Sequence, residues 1–138
     1  MHNFYMRSWI AAGILFASTS AALADPCEAP LPRAGTVFEG SARYIVDGDG
    51  FCISQSADPK TWIEIRLADF YAPELREQGG QRAKSALERI VLGKQIRCQA
   101  RNRSYDRIVA ECTVGGRSVA EMMRQSGISE GGRAFGNR

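Results

Sequence analysis

The chain has 138 residues and a mass of 15.1 kDa, room for one domain. Its composition, 44% hydrophobic and 24% charged, is that of a soluble globular protein and excludes a disordered tail, a collagen-like repeat and a multi-span membrane protein. The net charge of +3 is small, but 15 of the 18 basic residues are arginine, whose planar fork suits phosphate and carboxylate partners.

Residues 1–24 read as an export leader. Arg7 supplies a positive start, residues 9–15 are apolar, and Ala22-Leu23-Ala24 is an A-x-A cleavage site that would leave Asp25 as the first residue. The apolar run is shorter than the ~20 residues of a spanning helix. Removal of the leader takes away Arg7 and leaves a net charge of +2. It also removes His2, the single histidine, which excludes Ser-His-Asp and Cys-His catalysis and the H-E-x-x-H metalloproteases. Any chemistry must then come from carboxylates, arginines, tyrosines or a metal held by oxygen. The expected destination is outside the cytoplasm, periplasmic or secreted. Four cysteines, none in a C-x-x-C pair, read there as two disulfides with three possible connectivities.

Residues 25–38, with Pro26, Pro30 and Pro32, read as an extended lead-in. Residues 40–46 alternate as a first strand with Ala42, Tyr44 and Val46 on one face; the Asp47-Gly48-Asp49-Gly50 turn leads to a second strand over residues 51–55. Residues 62–70 read as a third strand, with Ile63, Ile65 and Leu67 on one face and Glu64 and Arg66 on the other. A helix fits residues 80–92, with Ala83, Leu87, Ile90 and Val91 on one face and Gly93 as its stop. Residues 95–100 and 108–114 read as a hairpin. If Cys98 faces Cys112, then Ile96 meets Val114 and Ala100 meets Ala110, so one register gathers every apolar residue on one face. Cys98–Cys112 is therefore the preferred disulfide, and Cys27–Cys52 follows by elimination. Ser118 and Glu121 form a capping box for a last helix with Val119, Met122 and Met123 inward, ending at Gly127. Three strands, a helix, two strands and a helix predict a five-stranded barrel of the OB type, with one helix between strands 3 and 4 and another at the C-terminus. The domain is expected over residues 39–130, followed by a frayed tail over 131–138.

Val46-Asp47-Gly48-Asp49, Ile65-Arg66-Leu67, Ala72-Pro73-Glu74 and Asp106-Arg107 before Val109-Ala110 follow one another in the order of the staphylococcal-nuclease-like (thermonuclease) family, which the chain resembles from about Glu39 to Gly127. The resemblance implies the OB architecture and hydrolysis of DNA or RNA phosphodiesters with calcium or another divalent cation. It makes Asp49 a metal ligand with Asp47 close by, Glu74 the general base or water-orienting group, and Arg66 and Arg107 the clamps on the scissile phosphate. An oxygen-only site suits a hard cation, and the guanidiniums would offset charge growing on a pentavalent phosphate. The expected state is a monomer acting on nucleic acid.

Three departures bear on that expectation. Tyr71 stands where the family has a second metal-ligand aspartate, so cation affinity should fall; Asp69, two residues earlier on the same expected strand face, is the candidate substitute. Gly50 replaces the usual threonine after D-G-D, and the usual third helix is absent after Gly127. Each motif also has a plainer reading: a hairpin turn for Asp47 and Asp49, an ion pair with Glu64 for Arg66, helix N-terminal charge for Glu74, and an ion pair with Asp106 for Arg107. The alternative to a nuclease is a catalytically silent OB module binding nucleic acid or a protein partner, with rings from Tyr44, Phe51, Trp62, Phe70, Tyr71 and Tyr105.

Overall fold

Strand β1, Val37–Ile45, begins three residues ahead of the expected start because Val37, Phe38 and Glu39 pair with Gln99, Cys98 and Arg97 of a later strand. In the computed structural model, which describes residues 25–131, β1 also carries a bulge. Ala42 pairs with Ile53 and Tyr44 with Cys52, so Arg43 is an extra residue. The bulge overturns the expected face: Ala42 is buried, Tyr44 is exposed, and Ile45 takes the inward place. The expected leader, residues 1–24, and the tail beyond Gly131 lie outside the described residues.

The remaining elements are β2 Gly50–Ser54, a 3₁₀ turn Pro59–Thr61, β3 Ile63–Leu67, α1 Gly80–Val91, β4 Gln95–Ser104, β5 Arg107–Val114, β6 Arg117–Ser118 and α2 Val119–Gln125. Together the described residues form a mostly antiparallel six-stranded sheet with two α-helices, ordered β3-β2-β1-β4-β5-β6, and β3 additionally pairs parallel with β5. β3 is shorter than its expected span and ends at Leu67, where the Leu67 N–H donates to Asp49 O on the β2 side and the Ala68 N–H to Ala110 O on the β5 side. Phe70 still fills the core from the loop beyond.

The β4–β5 register is the expected one: Cys98 faces Cys112, Ile96 faces Val114 and Ala100 faces Ala110. The strands run on past a bulge at Arg101 to a turn at Tyr105, whose φ of 57° is left-handed. Both expected disulfides are present, Cys98–Cys112 across this hairpin and Cys27–Cys52 between the lead-in and β2. The two-residue β6 was not predicted. It hands the chain to α2, where the Ser118 hydroxyl accepts the Glu121 N–H at 3.2 Å.

Phe51, Ile53, Ile65, Leu67, Phe70, Leu87, Val91, Ile96, Ile108 and Met123 make the core, enclosed between the inner sheet face and the apolar sides of both helices. Among the described residues no helix is long and apolar enough to cross a membrane.

Candidate active site

The turn between β1 and β2 is built from its own carboxylate. Val46 and Asp47 donate their N–H groups to Gly50 O, and Asp47 Oδ1 accepts the Asp49 N–H at 3.1 Å. Gly48 is there for close approach, since a Cβ would lie 2.5 Å from Ala83 Cβ on α1 and 2.6 Å from Ala72 Cβ. Gly50 has a similar reason: a Cβ would come within 2.9 Å of Asp47 Oδ1, the atom that closes the turn.

Pressed against α1 in this way, Asp49 is only 7% exposed. Its carbonyl accepts the Leu67 N–H at 2.8 Å and its Oδ2 accepts the Ala72 N–H at 3.1 Å. Burial first, and then the neighbouring Asp47 carboxylate, push the Asp49 carboxyl up to about 7, against the opposing pull of the Ala72 N–H and Arg66. Segments 47–49, 66 and 72, distant in sequence, therefore meet at one point.

Arg66 leaves the outer side of β3, and its guanidinium carbon lies 5.4 Å from the centroid of the Tyr71 ring. Beside this pair opens a cleft of about 450 Å³, lined also by Arg101, Asn102, Ser104 and Val109. Tyr71 is held through its backbone, donating to Glu130 Oε1 at 3.2 Å and accepting from the Gly131 N–H at 2.8 Å. The residue is 39% exposed and lines the cleft. Arg101 is tied to Glu111 at 2.6 Å.

The other expected site residues are distributed differently. Glu74 is exposed on the loop before α1, and its carbonyl accepts the Glu77 N–H at 2.9 Å. Arg107, at the start of β5, acts on Glu64, whereas the cation acting on Asp49 is Arg66. Asp69 does not share a strand face with Tyr71, because β3 ends at Leu67. Its charged neighbours are Glu111, Arg124 and Arg101; its carbonyl accepts from Arg124 Nη2, and its Oδ1 is buried without a hydrogen-bond partner.

These placements bear on the cation. Asp47 and Asp49 each commit one carboxylate oxygen to a backbone N–H, Asp69 faces another set of charges, and position 71 offers a ring. Calcium takes six to eight oxygens, typically with several carboxylates among them. The donors gathered at Asp49 do not fit such a protein-built cage.

Sequence reasoning missed a second charged cluster. Glu64, expected on the solvent side of β3, is 5% exposed because the lead-in lies over it. Ala29 donates to Trp62 O, Glu28 donates to Pro59 O, and Cys27 is bonded to Cys52, the residue directly across from Glu64 in the β2–β3 register. The Cys27–Cys52 pairing was the available signal, since it draws the lead-in across the outer face of β2. Asp25, Glu64 and Asp106 bring carboxylate oxygens within 4.8 Å of one another there.

Compared with protein-family models and with curated proteins, the chain has no match.

Proposed function

We propose that the chain is an exported OB-type domain that binds the phosphodiester backbone of single-stranded DNA or RNA in the cleft beside Arg66 and Tyr71. The observation that carries this reading is the juxtaposition of Arg66 and the Tyr71 ring in the lining of that cleft, with buried Asp49 behind Arg66. A guanidinium supplies a phosphate contact, and an exposed ring held through its backbone supplies a stacking surface at low entropic cost. The barrel reading is supported by the pairings β1–β2, β2–β3, β3–β5, β5–β4 and β4–β1, which run in a ring. Two disulfides, typical of exported proteins, support the location.

A second reading, phosphodiester hydrolysis of the thermonuclease kind, is favoured by Asp49 beside Arg66 and by the run Ala72-Pro73-Glu74 bonded to Asp49 through Ala72. In that reading Glu74 handles the attacking water and Arg66 and Arg107 clamp the phosphate.

Both readings meet in one experiment on the oxidised chain from Asp25 onward. Labelled single-stranded DNA and RNA are titrated with calcium, with magnesium and with chelator, and their integrity is followed on a gel. Binding that persists in chelator and weakens roughly 10-fold or more in Arg66→Ala is the expected result, the scale of one lost charged contact. Cation-dependent cleavage lost in Glu74→Gln and Arg107→Ala would establish the second reading. A folded protein that neither binds nor cleaves would refute both.

A further inference from the structure

The acidic cluster under the lead-in carries more negative than positive charge. Glu64 is its buried member, beside half-buried Asp25 and exposed Asp106. The charged groups that face Glu64 are Asp25 from the lead-in and Asp106 and Arg107 from the β4–β5 turn and β5, so one guanidinium stands against three carboxylates. The buried Glu64 carboxylate in that setting needs a further cation or must keep a proton. The sequence itself holds a source of one: cleavage after Ala24 creates an α-ammonium on Asp25, which is already a member of the cluster.

We propose that the Asp25–Glu64–Asp106 cluster is the seat of the chain's own α-ammonium, so that removal of the leader completes a buried ion pair with Glu64. The proposal rests on the export reading and on no property of the cleft. Residue 25 is held in place independently of the leader. Its Oδ1 accepts the Cys27 N–H at 3.0 Å, Cys27 is bonded to Cys52, and the Ala29 N–H is fixed on Trp62 O at 3.0 Å. An amide nitrogen at position 25 offers one donor and no charge, whereas an α-ammonium offers three donors and stays charged up to about pH 8.

The difference is readable as stability against pH. With the α-nitrogen uncharged, burial first and then Asp25 and Asp106 push the Glu64 carboxyl up to about 7, with Arg107 opposing. A carboxyl raised on folding contributes stability that is full below its ordinary value and is lost as pH rises through the folded one. The window of loss thus runs from about pH 4.5 to about pH 7. A seated ammonium holds Glu64 ionised and removes that loss until the ammonium itself deprotonates.

The test compares the chain beginning at Asp25 with the same chain extended by Ala22, Leu23 and Ala24, which carries the ammonium ~10 Å away. Each form is melted at about pH 5 and about pH 7.5, with and without Glu64→Gln. The extended form should melt lower, with the larger deficit at the higher pH, and Glu64→Gln should erase the pH-dependent part of that deficit. Equal midpoints at the higher pH, or a pH-dependent part of the deficit that survives Glu64→Gln, would overturn the proposal. So would full recovery of the extended form by calcium or magnesium ions, which would assign the cluster to a divalent cation. The mass of the protein recovered from outside the cytoplasm checks the premise separately: a chain starting at any residue other than Asp25 removes the ammonium from the cluster, whatever the engineered pair does.

Discussion

Two opposed influences act on the Asp49 carboxyl: burial and Asp47 favour the proton, while the Ala72 N–H and Arg66 favour the charge. The balance near 7 has a sign that can be worked out. Because the folded value lies above the ordinary 3.8, Asp49 contributes stability that is full below about pH 4 and is lost as pH rises through about 7. Asp49→Asn keeps an oxygen for the Ala72 N–H and has nothing to titrate. Denaturant unfolding across pH should show this variant losing less stability between about pH 4 and 8, by on the order of 1–3 kcal/mol. Asp49→Ala leaves the Ala72 N–H without its acceptor and should cost about 1–3 kcal/mol at pH 5. If both variants track the parent at every pH, the carboxyl is not where its hydrogen bonds put it. Asp49 and Arg66 were legible in the sequence because a D-G-D turn and an I-R-L strand carry them. Glu64 was not, because alternation along β3 says which way a side chain points and nothing of what covers that side.

Among the elements, α1 fixes the loop that follows Tyr71 through one contact. Gly80 opens the helix, and a Cβ there would lie 2.0 Å from Glu74 O and 2.8 Å from Leu75 Cα, both backbone atoms that cannot swing aside. Gly80→Ala should therefore push residues 74–75 away from the helix. The expected cost is about 1–3 kcal/mol of stability, from overpacking alone. A Gly93→Ala control meets open space but a φ of 75°, so it should lower stability through backbone strain and leave the cleft untouched. Melting both variants and titrating each with single-stranded DNA separates the effects: a Gly80→Ala protein that binds as the parent does would show that the Glu74 loop is not part of the surface used. The elements differ in how readable they were. The β4–β5 register was legible because three coincidences, Cys98 with Cys112, Ile96 with Val114 and Ala100 with Ala110, select it together. The bulge at Arg43 was not, since a single inserted residue leaves the alternation on either side intact while exchanging Tyr44 for Ile45 inside. Two-residue β6 is too short to carry any period.

For the molecule as a whole, charge limits how it can hold a nucleic acid. The net charge of +3, or +2 without the leader, gives no strong field, so affinity must come from a few placed cations and from stacking. Exposed arginines are partly spent inside the protein, Arg97 on Glu39 and Arg101 on Glu111. Arg66, stacked on Tyr71, is the cation the cleft presents beside the ring. If one to three phosphates are neutralised there, log K should fall with log salt at a slope of about −1 to −2, roughly −0.7 for each phosphate on a single strand. Arg66→Ala should make the slope shallower by about 0.7 as well as weakening binding. Tyr71→Ala should weaken binding by about 1–3 kcal/mol while leaving the slope alone, because a ring neutralises no phosphate. Anisotropy titrations at several salt concentrations give both quantities for each variant. A slope of about −4 or steeper that neither substitution alters would mean that the strand follows another row of arginines, and the cleft beside Tyr71 would lose its assigned ligand.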